Sequence, residues 1–316
     1  MTIVPVRRPR RAIDQRRARP AARRNAALSY PSGMPLHHLV GKPEISAPTV
    51  IAALDGWVDA GSASTQAATR LADGGEVVAT FDNDLIYDYR SRRPMLEIVN
   101  GRPSTLSWPE LVLRHVKVGE KDVLVLTGPE PDYRWRQLSS DIVKLAKQLD
   151  VAEWISLGSI PAAVPHTRSV PVLGTASRPG LLRGDVREGP EGLLKVPAAA
   201  ISVIDIAISR AGIPAIGYFA QIPHYVSGAY PAAAVELLRT VGRHLGTELT
   251  APLLTEEGRQ LQTRLDAAMA VDSDTREYVK RLETMSDESR LPSGGDLISD
   301  IERFLRERGG PSGRPN

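Results

Sequence analysis

The chain has 316 residues, 42% of them hydrophobic and 24% charged, which is enough apolar material for one large core or two smaller ones. It has no cysteine, which excludes disulfides, thiolate metal sites and a cysteine nucleophile. The net charge of +3 hides an asymmetry: residues 1–30 hold nine arginines and one acid, Asp14, leaving 31 basic and 36 acidic residues elsewhere. The rest of the chain is therefore mildly acidic, which disfavours nucleic acid as its partner.

Residues 1–33 read as a disordered arginine-rich tail, because a block of like charge with few apolar residues does not fold. An arm for nucleic acid or an anionic surface, and a start misassigned upstream of Met34, are the other readings. A twin-arginine export signal needs an apolar segment far longer than Ala26-Ala27-Leu28. No apolar run approaches the roughly 20 residues of a membrane span, so the protein is expected to be soluble and cytoplasmic.

Residues 34–250 read as one α/β domain. Pro48 to Leu54 is a short apolar run expected to be a buried strand. Residues 62–72 follow as an alanine-rich helix stopped by Asp73-Gly74-Gly75, and then Val77 to Phe81 as a second strand. Residues 85–116 contain the alternating stretches Met95–Val99 and Glu110–Val116 with the turn signal Asn100-Gly101 between them, so antiparallel strands are expected there. Asp122–Thr127 and Glu153–Leu157 read as buried strands flanking a helix at 134–149, in which Leu138, Ile142, Leu145 and Leu149 hold helical spacing. A helix at 198–211, a strand from Ile213 to Gln221 and a helix at 231–245 complete the pattern. Strands alternating with helices imply a three-layer α/β/α sandwich on a mostly parallel sheet.

Residues 251–309 read as a helical appendage. Leu261, Leu265 and Met269 recur every four residues, and Asp274 with Glu277 forms a candidate capping box for a second helix holding Tyr278 and Leu282. Leu291 to Gly295 is a linker before a last amphipathic helix with Leu297, Ile298, Ile301, Phe304 and Leu305, and residues 310–316 are a disordered end. The appendage is expected to pack on its own sheet domain, with joining of protomers as the alternative.

Four glycine- and proline-rich loops follow predicted strands: Gly56–Gly61, Gly128–Pro131, Gly158–Arg168 and Ile222–Pro231. In an open α/β sheet, loops at the carboxyl ends of parallel strands border one crevice, where ligands bind. The candidate crevice residues are Asp55, Trp57, Asp59, Glu130, His166, Thr167, Arg168, His224, Tyr225 and Tyr230. The first turn lacks the Gly-x-Gly-x-x-Gly spacing, and Asp55 and Asp59 would repel a phosphate; Asp59 is read first as a helix cap. If the loops meet, a pair between His166 or His224 and Asp55 or Asp59 would support acid–base chemistry. No Gly-x-Ser-x-Gly elbow or His-Glu-x-x-His helix is present, so no catalytic residue, metal site or cofactor is assigned. His37-His38 reads as a solvated pair, and His115 and His244 receive no role. Trp57, Trp135, Tyr225 and Tyr230 read either as interface anchors or as ordinary cover for the sheet edge.

The same loops carry a family resemblance. Gly56-Trp57-Val58-Asp59-Ala60-Gly61, Gly128-Pro129-Glu130-Pro131 with Arg134-Trp135, and Gly158-Ser159-Ile160-Pro161 through Pro165-His166-Thr167-Arg168 resemble the bacterial branch of the proteasome assembly chaperone 2 family. Gly212-Ile213-Pro214-Ala215 and Pro223-His224-Tyr225 through Tyr230-Pro231 fit as well, so the likeness covers about residues 45–245. It implies a sandwich similar to nucleoside phosphorylases and hydrolases, self-association with a trimer as one form, and proteasome-related partners. The eukaryotic members are non-enzymatic chaperones that bind proteasome α subunits, and the family brings no established catalytic residues. A non-enzymatic, chaperone-like interaction module is thus the expected function. The alternative is a small-molecule-binding or hydrolytic enzyme acting through Asp55, Asp59, His166, Arg168 and His224.

Overall fold

Apolar runs too short for helices and bounded by proline, glycine or aspartate become buried strands here, and the longer amphipathic runs become helices. The computed structural model describes residues 34–290 apart from 42–43, 185 and 191. The arginine-rich segment, the linker after α7, the last expected helix and the C-terminal end lie outside the described residues. In chain order the strands are β1 (His37–Leu39), β2 (Thr49–Asp55), β3 (Glu76–Phe81), β4 (Met95–Val99), β5 (Arg102–Ser107), β6 (Val112–Val118), β7 (Lys121–Pro129), β8 (Glu153–Ala162), β9 (Val172–Ala176), β10 (Arg187–Glu188) and β11 (Ala215–Pro223). The helices are α1 (Ala63–Leu71), α2 (Asn83–Ile86), α3 (Trp135–Gln148), α4 (Ala200–Arg210), α5 (Pro231–Leu245), α6 (Pro252–Val271) and α7 (Ser273–Arg290).

Nine strands form one mixed sheet in the order β1-β3-β6-β7-β2-β8-β11-β9-β10. Its four central strands, β7, β2, β8 and β11, are parallel. Side chains alternate across each strand, so the central strands feed two cores. Val50, Ala52 and Leu54 of β2 and Leu124 and Leu126 of β7 face one core, filled by Leu138, Ile142 and Leu145 of α3 and Ile201, Ile204 and Ile208 of α4. Ile51 and Ala53 of β2 and Val123 and Val125 of β7 face the other, filled by Ala63 and Ala67 of α1 and Leu237, Leu238 and Val241 of α5. The result is the three-layer α/β/α sandwich.

The flanks are antiparallel, as the 110–116 stretch was expected to be. β6 runs antiparallel to β7, β3 to β6, β1 to β3, and β9 to β11. Asn100-Gly101 does not join Met95–Val99 to the 110–116 stretch; it closes a two-stranded hairpin of β4 and β5, apart from the main sheet. Both turn residues have positive φ, +50° and +78°, as a two-residue hairpin turn requires. His37, expected in a solvated pair, is partly buried in β1 with its ring 6.3 Å from that of Phe81, and burial lowers its pKa. The start of α7 is capped by Asp272 rather than Asp274: its carboxylate accepts from the Asp274 and Thr275 amides at 3.0 and 3.3 Å and from the Thr275 hydroxyl at 2.5 Å.

Candidate functional site

All four loops leave the carboxyl ends of the parallel strands, so the sequence placed them on one edge. Three of them start later than expected, because β7 runs on through Gly128-Pro129, β8 through Gly158-Ser159-Ile160-Pro161-Ala162 and β11 through Ile222-Pro223. The loops are tied to one another by backbone bonds. The Glu130 amide donates to the Asp55 carbonyl at 2.9 Å, Ser159 to Val58 at 2.7 Å, His224 to Ala162 at 3.1 Å and Tyr230 to Gly61 at 2.8 Å. The crest is thus a stitched surface.

Asp59 is buried and caps α1 across a 3₁₀ turn at Ala60–Ser62. Its Oδ1 accepts from the Ser64 amide (2.9 Å), the Ser64 hydroxyl (2.6 Å) and the Thr65 amide (3.2 Å), and its Oδ2 from the Thr65 hydroxyl (2.5 Å). Negative charge at a helix start satisfies amides that have no partner within the helix. Glu130 does the same for α4: Oε1 accepts from the Ala200 amide at 2.7 Å, while Oε2 accepts from the Trp57 amide at 3.3 Å. Asp55 is paired with Arg92 at 2.7 Å. Gly56 lies between these carboxylates with φ +128°, and a Cβ there would stand 2.8 Å from Glu130 Oε2.

The other cluster holds the C-terminal helices. His166 is buried; its Nδ1 is 2.7 Å from the Tyr225 hydroxyl, which also accepts from the His166 amide at 2.9 Å, and its Nε2 is 3.3 Å from Asp266 of α6. The Thr167 hydroxyl donates to Glu283 of α7 in a short bond. Arg168 forks onto Asp287 with bonds of 2.9 and 2.8 Å and reaches Glu283 at 3.3 Å; the Asp287 bond holds its pKa above the usual range. His224 contacts the Tyr278 hydroxyl at 3.1 Å and the Ala162 carbonyl at 3.0 Å. Val279 and Leu282 of α7 are buried, and Leu261 and Leu265 of α6 pack against the second core. The described part of the appendage, α6 and α7, therefore packs on its own domain, directly over these loops.

The carboxylate facing His166 is Asp266, not the expected Asp55 or Asp59. Asp266, Glu283 and Asp287 were missed because they lie about a hundred residues away in sequence, although Glu283 and Asp287, four apart, share one helix face. Of the four aromatics, Tyr230 is buried, with its pKa pushed up to about 12 by burial. Tyr225 is part of the His166 network, and Trp135 donates from Nε1 to the Pro131 carbonyl at 2.6 Å. Trp57 alone of the four is 64% exposed. A cavity of about 300 Å³ lies beside His166, bordered by Tyr230, Arg239, Arg259 and Leu265. Away from the crest, His115 pairs with Asp122 (2.7 Å) and His244 bridges Tyr218 (2.7 Å) and Glu153 (3.2 Å). Asp205 of α4 accepts from Trp154 Nε1 (2.8 Å) and Ser156 Oγ (2.9 Å), and burial pushes its pKa up to about 7. Among the described residues no helix is long and apolar enough to cross a membrane, and no group of three or more His, Asp or Glu is arranged to hold a metal ion.

A sequence model of the PAC2 family matches residues 53–269, from the first central strand into α6. The chain belongs to the PAC2 family. Among proteins of known structure, a Corynebacterium glutamicum protein of unknown function is 30% identical, with a TM-score of 0.76 over 82% of this chain and 99% of that one. A Mycobacterium tuberculosis protein of unknown function is also 30% identical, with a TM-score of 0.74 over 82% of this chain and 93% of that one. The M. tuberculosis proteasome-assembly chaperone homologue is 32% identical, with a TM-score of 0.66 over 73% of this chain and 99% of that one. No curated protein matches the chain.

Proposed function

We propose that this PAC2 protein is a non-enzymatic, chaperone-like interaction module of the cytoplasm that binds proteasome-related proteins and associates with itself. One observation carries the non-enzymatic part. The polar side chains of the crest are engaged in holding the fold: Asp59 and Glu130 cap helices, Asp55 pairs with Arg92, and His166, Thr167, Arg168 and His224 hold α6 and α7. An acid–base site needs groups poised toward a substrate, and these are poised toward their own chain. The proteasome-related part is supported by the 32% identity to the mycobacterial proteasome-assembly chaperone homologue. The test is a native pull-down of the tagged full-length chain from its own host. Recovery of proteasome-related proteins is expected, and the absence of any reproducible protein partner would overturn the proposal.

A small-molecule role has one observation in its favour, the cavity beside His166. It predicts that some member of a metabolite panel raises the melting temperature, and that His166→Ala abolishes the rise. A flat panel with both proteins would remove it.

A further inference from the structure

The cavity of about 300 Å³ beside His166 lies where the sandwich meets the appendage: Val235 and Arg239 of α5 border it on one side, Arg259 and Leu265 of α6 on the other. Tyr230 marks it as a site. Its side chain lines the cavity and is only 4% exposed. The Gly61 carbonyl pins it in place, accepting from the Tyr230 amide at 2.8 Å. The Tyr230 hydroxyl has no hydrogen-bond partner among the described residues. Sealed polar atoms without a partner are confined, among the described residues, to His37 Nδ1 and Arg92 Nε. The Tyr230 hydroxyl is therefore reachable, and the space it borders is this cavity. Buried polar groups are almost always paired, so one left open to a cavity calls for a partner from outside the chain. Burial holds this phenol neutral, with its pKa pushed up to about 12, so it is a hydrogen-bond donor.

Charge identifies the ligand. Arg239 and Arg259 border the cavity, and no Asp or Glu does. Glu236, Glu256 and Asp266 pair with Arg239, Arg259 and His166 at 3.6, 2.7 and 3.3 Å, but from outside the lining. A guanidinium carries five N–H donors, so a single carboxylate leaves each arginine with donors to spare. The first turn of α5 also opens at this place, with no side-chain cap and no acid, so the positive end of its dipole is uncompensated. Val235 and Leu265 supply apolar wall. Donors and positive charge at an apolar wall fit a negative group carried on a small apolar body.

We propose that this cavity binds a small organic anion, a carboxylate or a phosphate ester, held by the Tyr230 hydroxyl and the guanidiniums of Arg239 and Arg259. The proposal rests on the small-molecule reading of the cavity given under Proposed function and names its ligand class. It asks for binding alone, which an interaction module can also have. Since α5 belongs to the sandwich and α6 to the appendage, the bound anion fastens one to the other. The test is isothermal titration calorimetry of the full-length protein with benzoate and phenyl phosphate, and with neutral benzyl alcohol and cationic benzylamine as controls. The proteins are the wild type, Tyr230→Phe, and Arg239→Gln combined with Arg259→Gln. At least one anion is expected to bind the wild type, and more tightly than either control. Tyr230→Phe should weaken that binding by about tenfold, as loss of a hydrogen bond to a charged group does, and the arginine variant by about tenfold or more. Hydrogen exchange of α6 should slow when the anion is bound. Tyr230→Phe removes a hydroxyl that has no partner, so without ligand it should melt no lower than the wild type. A lower melting temperature with unchanged binding gives the hydroxyl a structural role and overturns the proposal. Equal binding of the anion by all three proteins places it elsewhere and also overturns it. A control that binds as tightly as the anions, or a metabolite panel in which only uncharged or cationic members stabilise the protein, overturns the anion and leaves the small-molecule reading standing. No binding of any probe together with a flat panel overturns both.

Discussion

Asp59→Ala tests whether the most enclosed carboxylate of the crest serves the fold. In the native chain that carboxylate accepts four hydrogen bonds from Ser64 and Thr65 at 2.5–3.2 Å. Loss of a helix cap costs about 1 kcal/mol. Ser64 is fully buried, so its amide and hydroxyl would also lose an acceptor out of reach of water, which adds about 1–3 kcal/mol. A total of about 3 kcal/mol corresponds to a fall in melting temperature of about 6–12 °C for a domain of this size. Asp59→Asn keeps one acceptor oxygen and should cost about 1 kcal/mol, or about 2–4 °C. Differential scanning calorimetry of the three proteins reads both steps. An alanine variant that melts with the wild type would refute the capping role, and an asparagine variant as damaged as alanine would show that charge, not the hydrogen-bonding oxygen, is what matters.

Arg168→Ala should loosen α7, because Asp287 and Glu283 lose the guanidinium that holds them; hydrogen exchange of α7 amides is expected to quicken, and high salt should do the same to the wild type. Unchanged exchange in both would show that the Arg168 pairs do not hold α7. Asp205 has a folded pKa of about 7, raised by burial from 3.8, so its contribution to stability is full below 3.8 and is lost as the pH rises through about 7. Asp205→Asn should therefore gain on the wild type in melting temperature between about pH 5 and pH 8, and a constant difference between the two would refute the shift. Gly56→Ala forces a left-handed backbone on alanine and sets its Cβ against Glu130; it should cost about 1–3 kcal/mol, and a wild-type melting curve would show that the turn relaxes.

The two-sided apolar runs of β2 and β7 were legible because a strand buried on both faces shows no alternation, and α3 and α5 were legible from their spacing. The ends of β8 and β11 were not, because Pro161 and Pro223 look like strand breakers. They fit because neighbours run out. β2 pairs with β8 only as far as Ala52 with Ser156, apart from a bridge between Asp59 and Ser159, so Pro161 has no strand partner on that side. Arg102-Pro103-Ser104-Thr105-Leu106-Ser107 was passed over as a strand because a hairpin in solvent needs no buried face to pattern its sequence. The crest was located correctly as four loops after parallel strands. The partners of His166, Thr167 and Arg168 were not legible, because α6 and α7 supply them from about a hundred residues on.

The most direct test of a chaperone-like module is native mass spectrometry of the full-length protein purified gently from its own host, since it reads subunit number, bound small molecules and retained proteins together. A complex that contains a proteasome-related protein is the predicted result. A bare chain or homo-oligomer carrying only a small-molecule mass would contradict it and return attention to the cavity beside His166.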